Sequence, residues 1–418
     1  MATYQVEHLS TDARFSRPYT LFNPHFEPST VVSNIPIPSA PAEAFHKQLP
    51  HYGETQLHSL NSLAQTLGFA HVFLKDESTR FGLPSFKILG ASWAIYRALC
   101  KHLKLPQDPS STTFDDLRSA IIAANQDSSS PVRLVTCSEG NWGRACARMA
   151  SYLSLPCDLY VPAYMSEFTK DLIRNEGANI HVVNTGPGGG TYDDAIAAVE
   201  AASEEAGAIL VLDTSWEGFE EIPGWVTEGY GTMLAETDRQ VGVAVGNEKA
   251  KSADVVFCSV GVGSWAHAVA EHYHPLSQST RQQDNLQGGP QGAKTKFFTV
   301  EPDTAASLKE SLHIGRLTSI ETGNTIMCGM NCGTPSAIAW KVLRQSVFAA
   351  IAVTDQESHA EVEGLRATGV NAGPCGAANV AALKRAVEDG MLGSREERAG
   401  KVAVLFSTEG WREYALPQ

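Results

Sequence analysis

The stretch Lys75–Ala91, KDESTRFGLPSFKILGA, decides the fold, because it places a lysine where a helix begins just after a strand. His71–Leu74 is a short apolar run that predicts a buried strand, and the polar residues that follow predict a loop. Ser85 is predicted to cap the helix, two residues before Lys87. A lysine in the first helical turn opposes the helix dipole, so chemistry explains it better than stability does. A desolvated lysine amine forms a Schiff base with an aldehyde cofactor, and a solvated surface lysine is the alternative.

A glycine loop far downstream points to the same chemistry. Ala253–Val260 predicts a second buried strand, and a helix is predicted over Trp265–His272. Between them lies the loop Gly261, Val262, Gly263 and Ser264. Strand, glycine loop and helix form a cradle whose backbone N–H groups bind phosphate, although a tight turn without a ligand is the alternative. Together with Lys87 the loop favours pyridoxal 5′-phosphate (PLP), a phosphorylated aldehyde.

These motifs resemble those of the fold type II, tryptophan synthase β-like PLP enzymes, and among them most closely the diaminopropionate ammonia-lyase family. The resemblance runs from about residue 50 to the C-terminus and keeps the order of the family's motifs. Besides Lys75–Ala91 and Gly261–Ser264, the shared segments are Thr191–Ala195, Asp213–Gly218 with Ile222-Pro223, Val300–Asp303, Thr325–Gly329, Cys332–Pro335 and Ser407–Gly410.

The resemblance implies an α/β fold with two domains, each a largely parallel twisted sheet flanked by helices. Residues 1–98 together with 236–418 are expected to form a large PLP-binding domain, and residues 99–235 a small mobile domain. It also implies a homodimer that acts on a small amino acid. Alternating helical and strand patterns along the chain are consistent with this fold class.

Composition excludes several other classes of protein. The net charge of −14 argues against nucleic acid as a partner, because its phosphates would be repelled. The eight cysteines do not form two paired CxxC motifs, so a zinc site is not expected. No apolar stretch is long enough to cross a membrane, and the N-terminus lacks the apolar core of a signal peptide. We therefore expect a cytoplasmic enzyme without membrane association.

A second site loop, Thr136–Gly143, follows the predicted strand Val132–Val135. In this fold type an S-x-G-N motif contacts the 3′ oxygen of the cofactor, which here implies Asn141. The family usually continues the motif as D-G-N-H-G, whereas this chain has Glu139 and Trp142 in place of the aspartate and the histidine. The aspartate is implicated in removing the α-proton of the D-substrate, so Glu139 is a catalytic candidate with a displaced carboxylate. A solvated loop acid is the alternative.

Asp213 is the other candidate acid. It follows the apolar run Ala208–Leu212, so it lies at the carboxyl end of a strand, where open α/β sheets place their ligands. The resemblance implies that Asp213 is the base toward the L-substrate, whereas a helix cap is the alternative. Ser407 emerges from the predicted strand Val402–Phe406 and is expected to contact the pyridine nitrogen of the cofactor.

Several low-complexity segments are predicted to be loops. Leu105–Arg133 and Pro275–Lys296 are polar insertions, and the glycine-rich run Gly186–Gly190 is interpreted as a surface loop rather than a phosphate site. Gly373–Ala378, a run of small residues beside a helix start, either lines the face of the cofactor ring or simply packs closely within the protein.

The sequence therefore predicts a PLP-dependent ammonia-lyase that eliminates the β-amino group of 2,3-diaminopropionate, with the L-isomer preferred. Three alternatives stay open. The first is a serine or threonine dehydratase-like β-eliminase acting on another amino acid. The second is a β-replacement enzyme, and the third is a catalytically silent binding protein with the PLP-enzyme fold.

Overall fold

The computed structural model describes residues 2–11, 13–27, 39–126, 128–138, 140–184, 190–246, 253–273 and 295–417. Within these ranges the chain is α/β with largely parallel sheets, which confirms the predicted fold class. The strands are β1 (Thr3–Glu7), β2 (Arg14–Pro18), β3 (Thr20–Phe22), β4 (Leu57–Ser59), β5 (His71–Asp76), β6 (Arg133–Cys137), β7 (Cys157–Pro162), β8 (Asn179–Val183), β9 (Ala208–Leu210), β10 (Val255–Ser259), β11 (Lys296–Pro302), β12 (Ala349–Val353) and β13 (Val402–Ser407).

Helices alternate with these strands along most of the chain. They are α1 (Ser39–His46), α2 (Asn61–Leu67), α3 (Lys87–His102), α4 (Phe114–Asn125), α5 (Asn141–Leu153), α6 (Glu167–Asn175), α7 (Tyr192–Ser203), α8 (Glu221–Gly229), α9 (Gly231–Ala244), α10 (Ser264–Tyr273), α11 (Ser307–Ile314), α12 (Ala337–Ser346), α13 (Asp355–Ala367), α14 (Pro374–Glu388) and α15 (Arg395–Arg398). None of the helices in the described part of the chain is both long and apolar enough to span a bilayer.

The chain divides into two compact units. The terminal unit consists of Met1–Ile37, Glu54–Thr79 and Met233–Gln418, and the central unit of Pro38–Gly53 and Arg80–Thr232. The close packing of α3 on α5 and α8 groups α3 with the central unit. The division into a large PLP-binding domain and a small mobile domain, made from the sequence, stays a prediction.

The terminal unit contains a sheet that, among the described residues, has seven strands in the order β3-β12-β11-β10-β13-β5-β4. Its five inner strands are parallel, and the edge strands β3 and β4 are antiparallel to their neighbours. The inner strands are almost wholly buried and rich in valine, alanine and phenylalanine, as expected for a parallel sheet covered on both faces. β10 and β13 are adjacent and parallel, so the residues that follow them lie at the same edge of the sheet.

A buried ion pair ties the start of the diagnostic sequence to this unit. The side chains of Lys75 and Glu236 are fully buried, and Lys75 Nζ lies 3.0 Å from Glu236 Oε2. The same amine donates to the carbonyl oxygen of Thr55 and to Gln240 Oε1, at 2.8 and 2.9 Å. All three protons of the ammonium group therefore have acceptors, which offsets the cost of removing the charge from water. Lys75 has a structural role.

The central unit is built on a parallel sheet, which within the described ranges has the four strands β8-β7-β6-β9. β6 lies between β7 and β9, so the residues after β6 and β9 lie side by side at one edge. Helix α7 covers this sheet through Ala195, Val199 and Ala202. The helix starts at Tyr192, after a capping box between Thr191 and Asp194.

Two sequence predictions about local structure are wrong. Ser85 does not cap α3: Phe86 is the N-cap, it already has helical backbone angles, and no side chain caps the helix. The insertion Leu105–Arg133 is not a loop throughout, because it contains α4. That helix has a capping box between Thr113 and Asp116 and buries its apolar face, so its Ser- and Asp-rich flanks concealed an amphipathic helix. Of the other insertion, residues 274–294 lie outside the described residues.

Helix α3 is held against α8 by the close approach of two backbones. A Cβ atom added at Gly229 would overlap the carbonyl oxygen of Leu89 and lie 2.9 Å from the Cα atom of Gly90. A Cβ atom added at Gly90 would lie 2.7 Å from the ring of Tyr230. Since the obstacles at Gly229 are backbone atoms, they cannot rotate away, and only glycine fits.

We predict that Gly229→Ala destabilises the protein by about 1–3 kcal/mol, because the added methyl group forces α8 away from α3. Gly224→Ala is the matched control on the same helix, since no atom lies within 4 Å of its added Cβ. There alanine is expected to stabilise the helix by up to about 1 kcal/mol. Urea unfolding of both variants measures the difference. Equal midpoints would contradict the assigned role of the close contact.

Candidate active site

Lys87 is the first residue of α3, at the end of a loop that contains the short 3₁₀ turn Arg80–Gly82. Its side chain is 19% exposed, so the amine is largely removed from water. Lys87 Nζ donates a short hydrogen bond to Asp213 Oδ2. The rings of Phe86 and Trp142 flank the amine, with their centroids 5.6 and 6.0 Å from Nζ. The structure therefore brings Lys87 and Asp213, two of the predicted catalytic residues, into direct contact.

Asp213 follows β9 in a segment that remains attached to β6. The Val211 amide donates to the carbonyl oxygen of Val135 at 3.1 Å, although β9 itself ends at Leu210. Asp213 is buried, and its neighbours in the next turn are fixed by a hydrogen bond from the Phe219 amide to the Trp216 carbonyl at 3.0 Å. The carboxylate therefore sits at the carboxyl end of a parallel sheet, where ligands of such sheets bind.

The loop after β6 wraps around the hydroxyl of Ser138. Ser138 Oγ accepts hydrogen bonds from the amides of Gly140 and Gly143, at 3.0 and 2.7 Å. A Cβ atom at Gly143 would lie 2.6 Å from Leu159 and 2.9 Å from Ser138, so the close approach requires glycine. The loop thereby places Asn141 in the first turn of α5. Glu139, the third catalytic candidate, lies outside the described residues.

The predicted phosphate cradle lies in the terminal unit, after β10. Gly263 has φ of +100°, a conformation that side chains disfavour, and the loop then enters α10 at Ser264. A Cβ atom at Gly261 would lie 2.7 Å from the carbonyl oxygen of Gly329, so the loop packs against backbone on that side. The Ser336 amide donates to the Val262 carbonyl at 2.7 Å, which fixes the backbone of the loop. The first-turn N–H groups of α10 have no acceptor within the helix and suit an anion.

Ser407 lies at the end of β13, in the same sheet, and is fully buried. Its hydroxyl donates to the Glu409 carbonyl at 3.3 Å, a long bond that a better acceptor can replace. Gly376 of α14 packs directly on it, since a Cβ atom there would lie 2.5 Å from Ser407 Oγ. The small-residue run Gly373–Ala378 is thus a close-packing element beside Ser407.

Asn379 is a site residue that sequence reasoning missed. Its side-chain amide donates to the Phe406 carbonyl at 2.7 Å and to Ser259 Oγ at 2.9 Å, and Ser259 Oγ donates to the Cys375 carbonyl at 2.5 Å. These bonds tie the end of β10, which leads to Gly261, to the end of β13. Asn379 is fully buried, and its Oδ1 atom has no partner among the described residues. A polar residue inside the otherwise apolar face of α14 was the available signal.

Two buried thiols lie beside these groups. Burial raises the pKa of the Cys146 thiol well above its usual value, and burial with the nearby Glu409 carboxylate does the same to the pKa of Cys375. Both thiols are therefore neutral at physiological pH and serve as packing groups rather than nucleophiles.

Comparisons with known proteins relate the chain to a family. Residues 48–407 match the family model described as "Pyridoxal-phosphate dependent enzyme". The diaminopropionate ammonia-lyase of Salmonella typhimurium is 33% identical over 75% of this chain and 71% of its own length. The holo diaminopropionate ammonia-lyase of Escherichia coli superposes with a TM-score of 0.74 and 26% identity, covering 94% of this chain and 93% of that structure. The biosynthetic L-threonine dehydratase of Corynebacterium glutamicum is 25% identical over 60% of this chain and 52% of its own length.

Proposed function

Since the chain belongs to the pyridoxal-phosphate dependent enzymes and, within them, to the diaminopropionate ammonia-lyases, we propose that it converts 2,3-diaminopropionate and water to pyruvate and two molecules of ammonia. The L-isomer is the preferred substrate. The observation that carries the proposal is the contact between the Lys87 amine and the Asp213 carboxylate, which supplies a covalent anchor and a base side by side.

The residues present fit PLP. Gly261 has no room for a side chain and Gly263 has a positive φ, in a loop that opens onto a helix N-terminus, and Ser407 holds a hydroxyl on a long, replaceable hydrogen bond. We assign covalent attachment to Lys87, the phosphate to the backbone amides of Gly261, Val262, Gly263 and Ser264, the 3′ oxygen to Asn141 and the pyridine nitrogen to Ser407. When bound, PLP supplies the electron sink that stabilises a carbanion at the α-carbon.

The acid–base steps fall to Asp213 and Lys87. The Asp213 carboxylate takes the α-proton of the L-substrate. It is suited to this role because it lies beside the Lys87 amine, near which the α-carbon of the substrate must be held. The amine of Lys87 would hold PLP, and as a free ammonium group it would deliver a proton to the departing β-amino group. The Ser407 hydroxyl would offer the pyridine nitrogen of PLP a neutral hydrogen-bond partner.

The relationship also supports a cytoplasmic homodimer, and light scattering of the purified protein measures that state. The similarity to a threonine dehydratase favours one alternative, a β-eliminase acting on serine or threonine. A substrate panel separates the two: pyruvate with two equivalents of ammonia marks diaminopropionate, and one equivalent of ammonia marks a hydroxy amino acid. β-Replacement would give a new amino acid and no pyruvate.

We predict that Lys87→Ala abolishes turnover while the protein stays folded, because the covalent anchor is lost. Borohydride reduction of the wild type followed by peptide mass mapping should place a pyridoxyl group on Lys87. Lys101→Ala is the matched control on the same helix, since Lys101 is exposed in a surface ion pair with Glu221. A pyridoxyl label on another lysine would refute the assignment.

The cradle prediction concerns PLP affinity. Gly263→Asp should weaken PLP binding at least tenfold, because a side chain at this positive-φ position would press on Ala339 and Leu343 and displace the backbone amides that bind the phosphate. Gly390→Asp has the same backbone constraint, with φ of +70°, but open space around its added Cβ, so it serves as control. Absorbance titration of the apoprotein with PLP measures both dissociation constants. Similar losses in the two variants would mean that backbone strain alone accounts for the effect.

The stereochemical prediction depends on Asp213. Asp213→Asn should lower the rate with L-2,3-diaminopropionate by a factor of about a hundred or more, the effect of losing a positioned general base. Glu217→Gln, an exposed acid in the same loop, should leave the rate unchanged. Release of ammonia and pyruvate from the L- and D-isomers is the measurement. Equal wild-type rates for the two isomers, or full L-activity in Asp213→Asn, would overturn the assignment.

A further inference from the structure

Trp142 is linked to both members of the Lys87–Asp213 pair, to one through its ring and to the other through a chain of hydrogen bonds. It lies in the first turn of α5, and only 5% of its surface is exposed. The face of its ring is directed at the amine of Lys87, while its indole N–H points away, into the core of the central unit, and donates to Thr136 Oγ1 at 3.0 Å. The side chain is thus both an aromatic wall beside the amine and a hydrogen-bond donor to the sheet below.

The indole N–H starts a chain of hydrogen bonds, called the relay below, in which each donor and each acceptor is fixed. Thr136 Oγ1 donates its only proton to the carbonyl oxygen of Val211 at 2.6 Å, so its lone pairs are available to accept the indole proton. Val211 is also held to β6 by its own amide, through the bond to Val135. Asp213 follows two residues later. The relay therefore fixes the strand end that carries Asp213 relative to α5.

The ring face acts on the other member of the pair. A cation within about 6 Å of an indole centroid is attracted by the negative face of the ring, and more strongly when it is removed from water. Among the described residues, Asp213 bonds to the Lys87 amine, Cys146 of α5 lies near it, and Tyr230 packs on the ring of Phe86. Burial raises the pKa of the Cys146 thiol, which is therefore neutral, whereas the Asp213 carboxylate forms an ion pair with the Lys87 amine.

We propose that Trp142 is a positioning residue for this pair: its indole N–H fixes Asp213 through Thr136 and Val211, and its ring favours the positively charged form of the Lys87 nitrogen. The proposal rests on the assignment of Lys87 as the cofactor lysine and of Asp213 as the base. The two effects are separable, because phenylalanine keeps a ring without the N–H, leucine has neither, and valine at Thr136 removes the acceptor and leaves the ring.

The experiment compares holoenzymes of Trp142→Phe, Trp142→Leu, Thr136→Val and the double variant Trp142→Phe/Thr136→Val. The pH midpoint of the visible absorbance band of bound PLP, measured without substrate, reports the charge of the Lys87 nitrogen. Trp142→Leu should lower this midpoint by about half to one pH unit, because the cation loses the ring, and Trp142→Phe should largely retain it.

Steady-state kinetics report the relay. Trp142→Phe and Thr136→Val should each lower kcat by a factor of about three to ten with little change in KM, and the double variant should be no worse than the poorer single, because all three break the same path. Trp225→Phe is the control, a buried tryptophan of the same unit whose ring faces Arg97 instead. It should change neither quantity.

A wild-type midpoint in Trp142→Leu refutes the role of the ring, and kcat losses that multiply in the double variant refute the relay. Loss confined to KM in all variants would make Trp142 only a pocket wall. If Trp142→Leu fails to fold, the phenylalanine and valine variants still decide the relay. Failure of the proposed reaction is distinguishable, because the midpoint needs bound PLP and no substrate, and kcat can be measured on whichever amino acid of the panel reacts.

Discussion

The ion pair between Lys87 and Asp213 is the constraint around which the central unit is arranged. A cation at the N-terminus of a helix opposes the helix dipole at a cost of roughly 0.3–1 kcal/mol, and no side chain caps α3 to reduce it. The Asp213 carboxylate provides the compensating charge. Removing either partner leaves a largely buried charge alone, which destabilises a protein more than an intact buried pair stabilises it. The catalytic role proposed for the pair therefore explains it better than stability does.

That packing relies on backbone approaching backbone. α3 meets α8 at Gly90 and Gly229, and in the terminal unit α14 meets β13 where Gly376 lies against Ser407. Contacts between main-chain atoms cannot relax by a change of rotamer, so they fix position more firmly than contacts between flexible side chains. In both units the glycines stand next to a proposed site residue: Lys87 is three residues before Gly90, and Ser407 is in direct contact with Gly376.

The sequence predicts most of the framework because its parallel strands are continuous apolar runs followed by loops. β5, β10 and β13 were located within about two residues, as were the starts of α3 and α10. What failed depends on information that is not local. Ser85 has the residue type of a cap, but the chain is already helical at Phe86. Polar flanks concealed the buried face of α4. Asn379 bonds to Ser259, more than a hundred residues before it, and to Phe406, nearly thirty residues after it. Only the folded sheet brings these two strand ends together.

Trp142 departs from the family pattern, and its hydrogen bonds lead to Asp213, a residue that keeps the pattern. The family usually has a histidine at this position, which can transfer protons, whereas tryptophan cannot. Its contacts show instead a donor whose acceptor, Thr136, bonds to the backbone that leads to Asp213. A general base contributes about 10²–10⁴ in rate only while it is held in position, and a displacement of about 1 Å can cost a factor of about 10². A side chain that cannot transfer protons can therefore still govern proton transfer, by restraining the strand end from which Asp213 projects.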